Sequence, residues 1–161
     1  PYRDMRHKKL VELIDKPQWS GTAPTGEQFI KQADDTLIPD LISIVNIDGD
    51  YQFIIFDAKY YNLQMEYDKK LRGQPGIESI TKQYLYQLAY QPFVEAHQIK
   101  TVRNCFLMPT ASTKIEKKGV VTLSMLSNLG LQDIQVRLVP AETMYQLYLK
   151  NAKMDIRKLL L

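Results

Sequence analysis

At 161 residues, with 45% hydrophobic and 24% charged side chains, the chain can bury a full core as one domain without disulfides or structural metals. The single cysteine, Cys105, excludes an intrachain disulfide framework and a cysteine-based zinc site, and no apolar run approaches the length of a membrane span. A net charge of +3 is too small to argue for nucleic-acid binding, which depends on local clustering of Lys and Arg near phosphates.

The N-terminal residues lack the apolar core of a signal peptide, so a cytoplasmic protein is expected, and the initial Pro1 suggests a domain excised from a longer chain. Leu10, Val11, Leu13 and Ile14 among Lys and Arg predict a short amphipathic helix over residues 5–14, ending before Pro17. A loop over 21–26 and a first strand over 27–33 follow. Residues 36–61 form two apolar runs around Asp48-Gly49, a dipeptide favoured in two-residue hairpin loops. Gly73, Pro75 and Gly76 mark a surface loop, and a long helix is expected over 77–97, kinked or split at Pro92. A fourth strand over 101–109 carries Cys105, read as a buried, inert thiol. Lys114, Lys117 and Lys118 fall in an expected loop. Strands over 120–125 and 133–139 and a helix from 141 onward end the chain; its Met144, Leu147 and Leu149 complete the core or mediate assembly.

The hairpin carries the first chemical signal. With Asp48 and Gly49 as the loop residues, the register sets Asp40 opposite Asp57, and alternation puts Lys59 on the face of Asp57. Opposed Cβ atoms stand roughly 4.5–5.5 Å apart, close enough for both carboxylates to hold one divalent cation. Ile38, Ile42, Ile44, Phe53 and Ile55 share that face, so two bare carboxylates there are expensive unless a cation neutralises them. The plainer reading makes Asp40 a solvated strand end and Asp57–Lys59 a surface ion pair.

The long helix carries the second signal. Gln83, Tyr86, Gln87 and Tyr90 recur at three- and four-residue spacings and fall on one face. Leu85, Leu88 and Ala89 form the stripe expected to pack on the sheet. The Gln/Tyr face is then left to orient a water, a metal-bound group or a phosphate. Lys69, Lys70 and Arg72 cluster after the hairpin and are the better DNA-contact candidates; Tyr86 and Lys114 are further ones.

Taken together, these residues resemble the PD-(D/E)XK nuclease superfamily, over about residues 5–110. Pro39-Asp40 lies on the second strand, Asp57-Ala58-Lys59 on the third, and a Gln-bearing helix follows. The runs Leu37-Ile-Pro-Asp-Leu-Ile42, Asp57-Ala-Lys-Tyr-Tyr61 and Lys82-Gln-Tyr-Leu-Tyr-Gln-Leu-Ala89 are more specific, and resemble LlaJI-type and McrC-like restriction endonucleases. The resemblance implies an α/β core of order αβββαβ, a central mixed sheet flanked by helices, with extra C-terminal strands and a helix over about 111–161. It implies a Mg²⁺-dependent endonuclease cleaving double-stranded DNA in a restriction system, with Mn²⁺ able to substitute. A nucleotide-hydrolysing motor partner is implied as well; separately, cutting both strands needs two active sites or two binding events, so a homodimer or larger assembly is expected.

In that reading Asp40 and Asp57 coordinate Mg²⁺, with the backbone carbonyl of Ala58 as a further ligand and water completing the shell. The metal polarises the scissile phosphate and acidifies a water, while Lys59 positions that water or stabilises transition-state charge. Gln83, with Gln87 as a second choice, reaches the nucleophile or phosphate from the helix. Many members also use a helix-one glutamate, for which Glu12 is the candidate here, with Glu27 on the first strand as another.

Other chemistries fit less well. His7 and His97 have no metal-ligand spacing with each other or with Cys105, no G-x-S-x-G elbow is present, and no phosphate loop of NTPase type occurs. A second class of function is a catalytically silent DNA-binding or assembly module that keeps the nuclease fold.

Overall fold

An uninterrupted apolar run such as Phe53-Ile-Ile-Phe56 can be buried on both faces only inside a sheet covered on both sides. In the computed structural model, which describes residues 9–159 and 161, these four residues are at most 2% exposed. They belong to β4 (Asp50–Ala58), which lies between β3 (Leu41–Ile47) and β5 (Thr101–Thr110) in a five-stranded sheet ordered β3-β4-β5-β7-β6. The sheet is mixed. β4, β5 and β7 (Ile134–Pro140) run parallel, while β3 and β6 (Glu116–Val121) pair antiparallel at the edges.

The β3–β4 hairpin has the register expected from its turn, with Leu41 opposite Phe56 and Ile47 opposite Asp50. Asp48 and Gly49 both have positive φ, 54° and 94°, the geometry of the tight turn whose twist matches the flanking strands. From β4 the chain crosses to the parallel β5 through α1 (Ile77–Ala96). α1 continues through Pro92 as one element rather than splitting there. One sheet face, covered by α1, joins Phe53 and Ile55 to Tyr86 and Tyr90, and Phe106 and Met108 to Tyr84. On the other, Ile54, Phe56 and Cys105 are sealed by Met144, Met154, Ile156 and Leu161 of the C-terminal segment. Cys105 is wholly buried, and burial pushes its thiol up to about 12, so it is chemically quiet as expected.

Several expectations need correction. The strand expected over 27–33 exists as β2 (Gln28–Gln32), but it pairs only with β1 (Gln18–Thr22) in a separate two-stranded ribbon. β1 occupies part of the expected 21–26 loop, and the order αβββαβ is not continuous through the main sheet. Of the helix expected over 5–14, the described part is a 3₁₀ turn at Leu10–Leu13; its start, and His7, lie outside the described residues. Lys117 and Lys118 lie on β6 rather than in a loop, and of the strand expected over 120–125 only Val120 and Val121 are extended, as the end of β6, before a 3₁₀ segment at Ser124–Leu129. The C-terminal strands are no appendage, because β7 lies between β5 and β6 with Ile134, Val136, Leu138 and Val139 buried. The last helix is α2 (Ala141–Leu149); Met144 packs on the core, whereas Leu149 is exposed.

Candidate active site

Asp57 is the last buried residue of β4, at the carboxyl end of a strand that runs parallel to its neighbour, the end where open α/β sheets place their ligands. Its side chain faces α1 with Phe53 and Ile55. Continuing the β3–β4 register sets Asp40 opposite it, although Asp40 stands in a bend just before β3 rather than on the strand. The bend has a local cause. The same register would set Pro39 opposite Ala58, and the Ala58 N–H instead donates to Asp40 Oδ2 at 2.7 Å. Lys59 then extends past the strand end, its N–H held by the Leu107 carbonyl at 2.9 Å. Its ammonium lies 2.5 Å from Asp57 Oδ2 and 5.9 Å from the centre of the Phe106 ring.

The two carboxylates are unlike. Asp57 is 4% exposed, whereas Asp40 is open to solvent. Burial raises the Asp57 pKa; the Lys59 bond and charge oppose this, and Asp40 adds to it both as a neighbouring charge and as a hydrogen-bonding group. Two neighbouring carboxylates, only Asp57 being paired with the Lys59 ammonium, leave a negative charge that a divalent cation would neutralise. Mg²⁺ is commonly held by one or two carboxylates with water completing its shell, so this donor set suits it. Among the described residues no group of three or more His, Cys, Asp or Glu is assembled.

A raised folded pKa means that ionising Asp57 costs the folded state stability as pH climbs from the carboxyl's ordinary value of 3.8 through its folded one. Asp57→Asn removes that titration. Thermal melts from pH 3.5 to 7 should therefore show the variant gaining on the wild type as pH rises, without metal present.

The helix presents the reverse of the expected face. Gln83, Tyr84, Tyr86, Gln87 and Tyr90 are buried against the sheet, while Leu85 is 47% exposed. Gln83 donates from Nε2 to the Ile55 carbonyl at 2.9 Å and to Asn104 Oδ1 at 3.4 Å. Gln87 Oε1 accepts from Asn104 Nδ2 at 2.6 Å and from the Gln132 N–H at 2.9 Å. Both amides thus knit helix to sheet, and neither is presented to solvent. Tyr86, expected at the DNA surface, is 1% exposed because its ring fills the core and its hydroxyl donates to the Ile38 carbonyl at 2.8 Å. It still borders the site. Burial, then the charges of Asp57 and Asp40, push its hydroxyl up to about 12.

The two glutamates stand elsewhere. Glu12 is exposed and accepts the Lys9 N–H at 2.9 Å in its own turn, and Glu27 precedes β2 on the separate ribbon. Lys69, Lys70, Arg72 and Lys114 are exposed, Lys69 bonding Glu66 at 2.6 Å. Sequence reasoning missed Phe106 beneath Lys59, Lys82 at 5.7 Å from the Tyr86 ring, and Asn104 at the centre of the amide network. A lone asparagine in the apolar run of β5 was the available signal, because a buried polar residue demands partners.

Comparison with known proteins supplies an independent line. The LlaJI restriction endonuclease family matches residues 4–143. The type II restriction enzyme BsuMI component YdjA of Bacillus subtilis (strain 168) is 34% identical over 145 residues, covering 89% of this chain and 29% of that protein. The chain therefore spans less than a third of that relative. No solved structure matches.

Proposed function

Because the chain belongs to the LlaJI restriction endonuclease family, we propose that it is the DNA-cleaving part of a restriction system, a Mg²⁺-dependent endonuclease with a PD-(D/E)XK core. One observation carries the reading. Asp40, Asp57 and Lys59 converge at the carboxyl end of β4, with Asp57 buried in contact with a second carboxylate.

Asp40 and Asp57 would hold the cation, with the Ala58 carbonyl as a further donor. When bound, the metal supplies charge stabilisation at the scissile phosphate and a more acidic water. The chain's own groups do the rest. Asp57 fixes Lys59 between the strand end and the Phe106 ring, so the ammonium is aimed before substrate arrives and needs no reorganisation. From there it orients the attacking water or offsets charge on the phosphoryl oxygens. Asp40 holds the Ala58 N–H, which fixes the backbone between the two acidic side chains and the lysine. Tyr86 closes the inner wall and keeps water from the core side.

Double-stranded DNA is the proposed substrate. A further subunit is the proposed partner, because the related protein is named as a component of a restriction enzyme. A nucleotide-hydrolysing motor belongs to the same proposal, as does a homodimer, since cutting both strands takes two sites or two binding events. The competing reading, a silent module within such an assembly, draws on the absence of a third acidic ligand among the described residues.

Nicking of supercoiled plasmid separates the two. The purified domain is expected to nick slowly with Mg²⁺ or Mn²⁺ and not with EDTA. No nicking in either metal, from a folded sample, would favour the silent module.

A further inference from the structure

The segment between β4 and α1 is a built hairpin, although most of it is exposed. Reciprocal backbone hydrogen bonds join Gln64 and Arg72, at 2.9 and 3.1 Å. Gly73 follows at φ +64°, packed so closely that an added Cβ would collide with the Asn62 carbonyl oxygen. That position requires glycine twice over, for its backbone conformation and for its lack of a side chain. Leu63 packs on the cluster that contains Phe106, the ring beneath Lys59, and the Met65 methyl lies against Gly119 of β6, 2.6 Å from where a Cβ would be. The base is thereby fastened to the elements that form the candidate site.

The tip shows a different chemistry. Tyr67 is fully exposed at 107%. Gln64, Glu66, Lys69, Lys70 and Arg72 line a hollow of about 270 Å³. Glu66 engages Lys69, and among the described residues no carboxylate lies within ion-pair distance of Lys70 or Arg72. A single exposed tyrosine is ordinary. A fully solvated ring on the same tied-down hairpin as these cations, a short stretch of chain after Lys59, matches the two needs of a polynucleotide: a π-face for a base and positive charge for its phosphates.

We propose that residues 64–72 clamp one strand of the DNA substrate where the duplex is locally opened, Tyr67 stacking on the base unpaired there while Lys70 and Arg72 hold flanking phosphates. The clamp would set the strand's position relative to Asp57 and Lys59, and it rests on the nuclease reading above.

Fluorescence anisotropy with labelled single-stranded and duplex oligonucleotides, with Ca²⁺ in place of Mg²⁺, tests it. Tyr67→Ala should weaken single-strand binding about tenfold, and more than duplex binding, while Tyr67→Phe stays near wild type. Removing Lys70 and Arg72 together should flatten the dependence of log affinity on log salt by about 0.7 for each phosphate no longer neutralised. Wild-type binding by Tyr67→Ala, or equal losses on both substrates, would overturn the stacking role. The two claims fail separately: wild-type cleavage by Asp57→Asn defeats the nuclease reading, whereas Asp57-dependent cleavage with unaltered binding by the Tyr67 and Lys70/Arg72 variants defeats the clamp alone. Circular dichroism of each variant guards against misfolding.

Discussion

Asp57→Asn is expected to lower metal-dependent DNA cleavage by on the order of 10³-fold while leaving the protein folded. A metal's charge stabilisation supplies several kcal/mol to phosphoryl chemistry, and each 1.4 kcal/mol is about tenfold in rate. Asp57 is the more buried of the two candidate ligands and also the group that fixes Lys59, so the substitution removes a charged ligand and loosens the ammonium together. Folding should survive, because asparagine keeps the shape and ends the cost of a buried carboxylate beside a second one. Lys59→Ala should approach the same loss by the second route alone. Plasmid nicking rates at saturating Mg²⁺, with thermal melts alongside, check both. Cleavage at wild-type rates in either variant would remove the site from the account.

The second large effect is on stability. Asn104→Ala should destabilise the protein by about 2–4 kcal/mol, because one side chain serves three partners in a buried network. Its Nδ2 donates to Gln87 Oε1 at 2.6 Å and to the Gln132 carbonyl at 2.9 Å, and its Oδ1 accepts from Gln83 at 3.4 Å. Truncation removes the donor to the Gln132 carbonyl, leaves Gln87 Oε1 and Gln83 Nε2 with one partner each, and opens a void in the strand that pairs with both β4 and β7. In a chain of this size each kcal/mol moves the melting point by about 2–4 °C, so a fall of roughly 5–15 °C is expected by calorimetry. A fall of less than about 2 °C would mean that the network is not what couples α1 to β5. Gln83→Ala should show a smaller fall, since its Oε1 already has no hydrogen-bond partner in the structure.

The β3–β4 register was legible in the sequence because an Asp-Gly turn imposes it, and a one-residue slip would have put Phe53 and Ile55 on the wrong face. Whether Asp40 and Asp57 are solvated or buried was less legible: Asp57 is closed in by α1, while Asp40 lies beyond the strand, where Pro39 interrupts the ladder. The extents of α1 and β5 followed from apolar content and from glycine at the helix boundary. The orientation of α1 did not. Tyr and Gln look like surface residues until their partners are known, and here the Ile38 and Ile55 carbonyls and Asn104, all distant in sequence, satisfy them. β1, and with it the pairing of β2 into a separate ribbon, escaped for a related reason. Gln18-Trp-Ser-Gly-Thr22 has no alternation of apolar residues, and both faces are largely exposed, so no burial pattern marked it as a strand. The central position of β7 follows from β5–β7 pairing, which no local pattern encodes.

The related component is more than three times as long as the segment it shares with this chain. Within the described residues the site's acidic side is a pair, Asp40 and Asp57. Everything proposed for catalysis depends on that pair holding a metal.

The most direct test is Mn²⁺ binding followed by electron paramagnetic resonance in the presence of duplex DNA, for the wild type, Asp40→Asn and Asp57→Asn. The account predicts a bound ion in the wild type, with affinity reduced at least about tenfold in each variant, because a divalent ion held by one or two carboxylates loses a charged ligand. No bound ion in the wild type, or the same affinity in all three proteins, would contradict it.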